Sequence, residues 1–160
     1  MKVLIIDDDE DLRNILAHHL KQEWPDLQIE QFDPLKRDMP DAAFPLGAYD
    51  VVILDYMLER GDGLEWLQQF KKRADCPPVL FLTGAGNEVI AVRAMKLGAD
   101  DYQRKQELTR EKLVTSVREL TRGAAEKAVS PEDIARRAGH EIGAHIRIPG
   151  IKVLHLIGQG

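Results

Sequence analysis

Three short runs of uninterrupted apolar residues constrain this chain more than anything else in it. Val3-Leu4-Ile5-Ile6, Val51-Val52-Ile53-Leu54 and Val79-Leu80-Phe81-Leu82 contain no polar residue, and a polar residue follows each at once. A strand with one wet face alternates apolar and polar side chains. A run that is apolar throughout, and too short for a helix, suits a strand covered on both faces, which means a parallel sheet between layers of helices.

The segments between the runs carry the helical period. Leu12, Ile15, Leu16, His19 and Leu20 recur at three- and four-residue steps before Trp24-Pro25. Leu64, Leu67 and Phe70 form a second stripe, ending before Cys76-Pro77-Pro78. Val89, Val92, Met95 and Lys96-Leu97 form a third, with Gly98 placed to cap it in a left-handed conformation. Leu108, Leu113, Val117 and Leu120 form a fourth. Two weaker strands are expected at 27–32, which alternates as an edge strand does, and at 100–103. The order predicts an α/β fold, a doubly wound five-stranded parallel sheet with right-handed crossovers. One crossover is irregular: Pro34, Pro40, Pro45 and Gly47 make a short, displaced or partly absent helix the expectation there.

Past residue 121 the pattern changes. A linker is expected over 123–145, with a helix at about 131–143 that starts on Ser130 as N-cap and Pro131 at the first helical position. The apolar run 151–157 then stops at Gly158-Gln159-Gly160, and 146–160 reads as the truncated start of a further domain.

Charge and composition exclude several classes. With 22 basic against 27 acidic side chains the net charge is −5, so no basic face for nucleic acid is expected. No apolar run is long enough to span a membrane, and no secretory leader follows Met1. The one cysteine, Cys76, has no partner for an internal disulfide, and a cytoplasmic location is expected.

Ligands of open parallel sheets bind beyond the carboxyl ends of the strands, where strand order reverses. The strand ends here are Asp7-Asp8, Asp55, Thr83 and, just past the fifth strand, Lys105. A sheet in the order 2-1-3-4-5 would gather them on one rim. Two carboxylates about 4 Å apart repel by about 4 kcal/mol at an effective dielectric of 20, so three together call for a cation. An all-oxygen acidic set suits Mg²⁺ or Mn²⁺. One carboxylate could then attack phosphorus, while an ammonium and a hydroxyl stabilise the phosphoryl oxygens. Gly84, after Thr83, would let such a group approach the backbone.

These residues resemble the receiver domains of two-component response regulators. The matching segments are Val3 to Asp8 with Arg13, Asp55-Tyr56-Met57-Leu58 with Asp62-Gly63, Leu82-Thr83-Gly84, and Gly98-Ala99-Asp100-Asp101-Tyr102 with Lys105. The resemblance implies a flavodoxin-like receiver domain over 1–122. It makes Asp55 the phosphoacceptor, and Asp7, Asp8, Asp55 and the Met57 carbonyl the metal ligands. Thr83 and Lys105 would bind the phosphoryl group, and Thr83 and Tyr102 would form the switch. The implied partners are a sensor histidine kinase and the chain's own C-terminal output domain. A homodimer would use the face made by the 89–97 helix, the 100–103 strand and the 108–120 helix. As a receiver the chain is a switch that gains and loses its own phosphoryl group, not an enzyme with a separate substrate.

The chain departs from the family at two places. Gln106 stands where a cis proline usually follows the lysine, so the Lys105 loop is expected to differ. Glu59 replaces a common proline and adds charge near the pocket mouth. Residues 151–160 resemble the first strand and Gly-rich loop of a serine/threonine protein kinase, which would make the parent a receiver–kinase fusion. Two other classes compete. A haloacid-dehalogenase-like phosphatase also uses an aspartate and Mg²⁺ but wants an acid two residues on, where this chain has Met57. A pseudo-receiver would only bind a partner protein.

Overall fold

The computed structural model describes residues 1–84 and 88–128. The expected helix at 131–143, the 151–157 run and the terminal Gly-x-Gly lie outside the described residues. Five parallel strands form the sheet: β1 (Lys2–Ile6), β2 (Gln28–Phe32), β3 (Val51–Asp55), β4 (Val79–Thr83) and β5 (Asp101–Arg104). Their order is β2-β1-β3-β4-β5, as the sequence predicts. The described helices are α1 (Glu10–Glu23), α2 (Gly63–Lys71), α3 (Glu88–Lys96) and α4 (Arg110–Ala128).

The apolar runs bury both faces of the sheet. Val3, Ile5, Val51, Ile53, Leu80 and Leu82 face one side, against Leu16 and Leu20 of α1 and Leu113 and Val117 of α4. Leu4, Ile6, Val52, Leu54, Val79 and Phe81 face the other, against α2 and α3. Every one of these twelve strand side chains is at most 1% exposed, which is why no alternation is visible in the sequence.

The crossover from β2 to β3 has no α-helix. A single 3-10 turn, Leu46–Ala48, stands in its place, and buried Leu46 and Tyr49 fill the space. Local bonds replace the helix's own ladder. Asp33 and Asp41 side chains accept from the Leu35 and Ala43 amides, and Arg73 at the end of α2 donates to the Asp41 and Phe44 carbonyls.

Two expectations about helix faces are corrected. The Val89–Val92–Met95 stripe is exposed, at 67%, 53% and 45%, while Ile90, Ala91 and Ala94 pack inward. The third helix carries two apolar faces, and periodicity cannot rank them; the smaller alanines win because they let α3 approach the sheet closely. On α1, Ile15 is exposed, and the buried line runs Arg13, Leu16, Leu20. Gly98 does have the left-handed φ expected of it, at 102°.

The sequence reading missed a small antiparallel hairpin, Met57–Leu58 paired with Gly61–Asp62. Gly61, at φ 117°, turns it. Gly63 then lets α2 begin against the end of β3. Its amide donates to the Tyr56 carbonyl at 2.9 Å, and a Cβ there would lie 2.1 Å from the Asp55 carbonyl oxygen.

Two stability outcomes follow from these contacts. Gly63→Ala should cost at least about 3 kcal/mol in urea unfolding, because backbone has to move. Ile90→Ala should cost about 2–4 kcal/mol and Val89→Ser at most about 0.5 kcal/mol, the reverse of what the apolar stripe alone suggests.

Candidate metal and phosphoryl site

Register delivers the site. Ile6 of β1 pairs with Leu54 of β3, so Asp7 and Asp55 leave the sheet side by side, where strand order reverses. Asp55 pairs with Leu82 and Thr83 with Arg104, which sets Thr83 and Lys105 one step beyond on the neighbouring strands. Asp7, Asp55 and Thr83 are each at most 2% exposed, and Asp8 is half-buried.

The three carboxylates each offer an oxygen within 4.8 Å of the others. Lys105 is the cation that faces them. Its Nζ donates a hydrogen bond to Asp7 Oδ2 at 2.9 Å and makes a charge contact with Asp55 Oδ1 at 2.9 Å without hydrogen-bond alignment. Asp55 Oδ2 is buried with no polar partner among the described residues. Asp8 Oδ2 accepts from the Glu59 amide of the hairpin at 3.1 Å, and Asp7 Oδ1 from the Asp9 amide at 2.8 Å.

One ammonium does not balance three acids. Burial, then the neighbouring Asp7, pushes the Asp55 carboxyl up to about 6, against the pull of Lys105. Burial also raises Asp7, opposed by its bonds from Lys105 and the Asp9 amide. Lys105 is raised: burial works against its charge, but its bond to Asp7 and the adjacent negative charge of Asp55 outweigh that. A buried oxygen-only set with excess negative charge and an unpartnered oxygen fits a hard divalent cation. An ion there would share Asp7, Asp8 and Asp55.

The sequence reading picked out Asp7, Asp8, Asp55, Thr83 and Lys105, and the structure gathers all five on one rim. Lys105 needs no cis proline after it. Every described peptide bond is trans, and Lys105–Glu107 forms a 3-10 turn that still aims Nζ at the acids. Met57, two residues past Asp55, sits in the hairpin with its side chain 68% exposed. Tyr102 is half-buried on β5, away from the acids, and borders a shallow groove with Val92, Met95 and Arg104. Asp9 is the α1 N-cap, accepting from the Leu12 amide. Two contacts went unread: that of the Glu59 amide, which is long-range, and that of Arg13, named above only as part of the matching segment, whose buried guanidinium donates to the Asp7 carbonyl. An arginine interrupting an apolar helix face was the available signal for the second.

A five-stranded parallel sheet with an acidic cluster at its switch point defines an α/β domain with a ligand site beyond its strand ends, suited by its chemistry to a cation. The family model for the response regulator receiver domain matches residues 3–118. The chain therefore belongs to the response regulator receiver domain family. Solved structures agree. A response regulator receiver domain protein from Clostridium thermocellum is 25% identical with a TM-score of 0.68, over 78% of this chain and 96% of that one. The signal receiver domain of a DNA binding response regulator (merR) from Colwellia psychrerythraea 34H is 27% identical with a TM-score of 0.65, over 76% and 98%. NtrX from Brucella abortus, in complex with ADP, is 26% identical with a TM-score of 0.64, over 94% of this chain and 31% of that one.

The pH dependence has a definite sign. Asp55 binds its proton more tightly folded (about 6) than unfolded (3.8), so the metal-free fold loses stability as pH rises from about 4 through 6. A shift of about two units corresponds to about 3 kcal/mol. Asp55→Asn should be more stable than the metal-free parent by up to that amount at pH 7.5 and by almost nothing at pH 4, measured by denaturant unfolding in EDTA.

Proposed function

We propose that this receiver domain takes a phosphoryl group onto Asp55 from a sensor histidine kinase, with Mg²⁺ bound by Asp7, Asp8, Asp55 and the Met57 carbonyl. The observation that carries this reading is Asp55 itself. It is 1% exposed, beside two further carboxylates, with Lys105 Nζ 2.9 Å away and one oxygen unpartnered.

The chemistry follows from the placement. An Asp55 oxygen attacks the donor phosphorus as the P–N bond of a phosphohistidine breaks, and the imidazole nitrogen keeps that electron pair and takes a proton. Mg²⁺, when bound, neutralises the acids and the phosphoryl oxygens. Lys105 holds one phosphoryl oxygen and the Thr83 hydroxyl donates to another, where charge develops in the transition state. Gly84 leaves room at the backbone: a Cβ there would meet no described atom within 4 Å.

Phosphorylation then shifts a two-state equilibrium in which Thr83 moves inward and Tyr102 reorients. The exposed Val92 and Met95 beside Tyr102, with Val89 exposed on the same helix, support the α3–β5–α4 face as the one an output domain or a second copy reads. A serine/threonine kinase is the output that residues 151–160 suggest, on sequence alone. This role places the chain in the cytoplasm; no helix among the described residues is long and apolar enough to cross a membrane.

A haloacid-dehalogenase mechanism lacks its second acid, because an exposed methionine stands at that position. The pseudo-receiver reading differs by a simple test. With Mg²⁺ and a small phosphodonor such as acetyl phosphate, intact-mass spectrometry should show one added phosphoryl group on the parent and none on Asp55→Asn. Lys105→Ala should slow its appearance about 100-fold. A parent that gains nothing, with or without Mg²⁺, is an interaction module instead.

A further inference from the structure

Asp7, Arg13 and Asp55 are the three buried charged residues among those described. Two belong to the acidic site; the proposed chemistry leaves the third unused. Arg13 is 4% exposed and lies in the first turns of α1. Its Nη1 donates to the main-chain carbonyl of Asp7 at 2.5 Å. Its Nη2 lies 3.5 Å from Asp33 Oδ2, at the start of the helix-free crossover, and its Nε has no partner among the described residues.

Burying a guanidinium this deeply is costly, and one carboxylate at 3.5 Å with one nitrogen left unbonded does not recover the cost well. An apolar side chain would fill the same position on α1 more cheaply. What the arginine adds is a fixed donor under the Asp7 peptide. The turn that carries Asp7 and Asp8 is closed at three points: the Asp9 amide on the Asp7 carboxylate, the Arg13 amide on the Asp9 carbonyl, and the Arg13 guanidinium on the Asp7 carbonyl. The last is the one contact that reaches this turn from a side chain buried in α1.

We infer that Arg13 is a positioning residue for the cation site, holding the Asp7–Asp8 turn so that both carboxylates face Asp55. The inference rests on the reading of Asp7, Asp8 and Asp55 as ligands of a divalent ion. Simple electrostatics gives the opposite sign: removing a positive charge near an acidic site tightens cation binding. Positioning requires that removing it weakens binding.

Mg²⁺ affinity, measured by calorimetry on the whole chain with melting in EDTA as a separate readout, distinguishes the two. Arg13→Met should weaken Mg²⁺ binding about tenfold, the usual effect of losing a residue that orients a metal ligand. Arg13→Lys keeps the charge and the stem but not the forked donor. It should fold and still bind about threefold more weakly or worse. At saturating Mg²⁺ both variants should regain phosphorylation rates close to the parent's, which a damaged fold would not allow. Unchanged or tighter binding in Arg13→Lys overturns the inference, whether or not Arg13→Met folds. A parent that binds no Mg²⁺ overturns the ligand reading beneath it instead.

Discussion

Uncompensated negative charge at the end of a parallel sheet governs this molecule. Asp7 and Asp55 are forced together by the register of β1 and β3, adjacent interior strands, and neither can turn to solvent without undoing that pairing. Asp8 joins them, and Lys105 supplies one positive charge to three acids. The fold therefore holds electrostatic repulsion where it is most buried, at a cost in stability. The raised Asp55 carboxyl reflects that repulsion together with its burial. A divalent ion would relieve it, and so would protonation, but only the ion would leave Asp55 ionised, as the proposed phosphoryl transfer requires.

Lys105 gains meaning in this light. Its ammonium sets a positive charge against the acids, bonding to Asp7 and touching Asp55. With a cation held by Asp7, Asp8 and Asp55, the same ammonium would be able to bind a phosphoryl oxygen, as proposed above. Its aim comes from β5 and the 3-10 turn after it, with all described peptides trans, so Gln106 does not disable it.

Much of this was legible in the sequence because it depends on short-range pattern. Fully apolar runs gave the strands, and the polar residues ending them gave Asp7, Asp8, Asp55 and Thr83, since the residue after a buried strand must lie on the rim. Lys105 was readable for the same reason, one residue past β5. What escaped depends on contacts distant in sequence. The 57–62 hairpin is two residue pairs long and reaches Asp8 through an amide 51 positions away, so no local preference announces it. On α3 the sequence offers two apolar faces, and only the sheet beneath decides that Ile90 and Ala94 go in and Val92 stays out. Arg13 broke the apolar line of α1, but its reason is a carbonyl on the preceding turn and a carboxylate on a different crossover.

β5 links the two ends of the argument. Its C-terminal end delivers Lys105 to the acids, its middle carries Tyr102 at the groove bordered by Val92 and Met95, and it pairs throughout with β4, which ends in Thr83. A strand four residues long cannot shift one end and leave the other in register. Tyr102 lies on one short strand, Lys105 directly follows it, and Thr83 ends the strand paired with it, so in the proposed switch a displacement at the acids would reach Tyr102 through β5. Ser116 of α4 locks the strand from the other side: it donates to Asp101 Oδ2 at 2.6 Å and accepts from Gln103 at 2.9 Å. On its other flank β5 meets α3, through the Arg104–Glu88 ion pair at 3.5 Å and through Tyr102 packed against the core that holds Ile90 and Ala94, so both helices grip the strand that delivers Lys105.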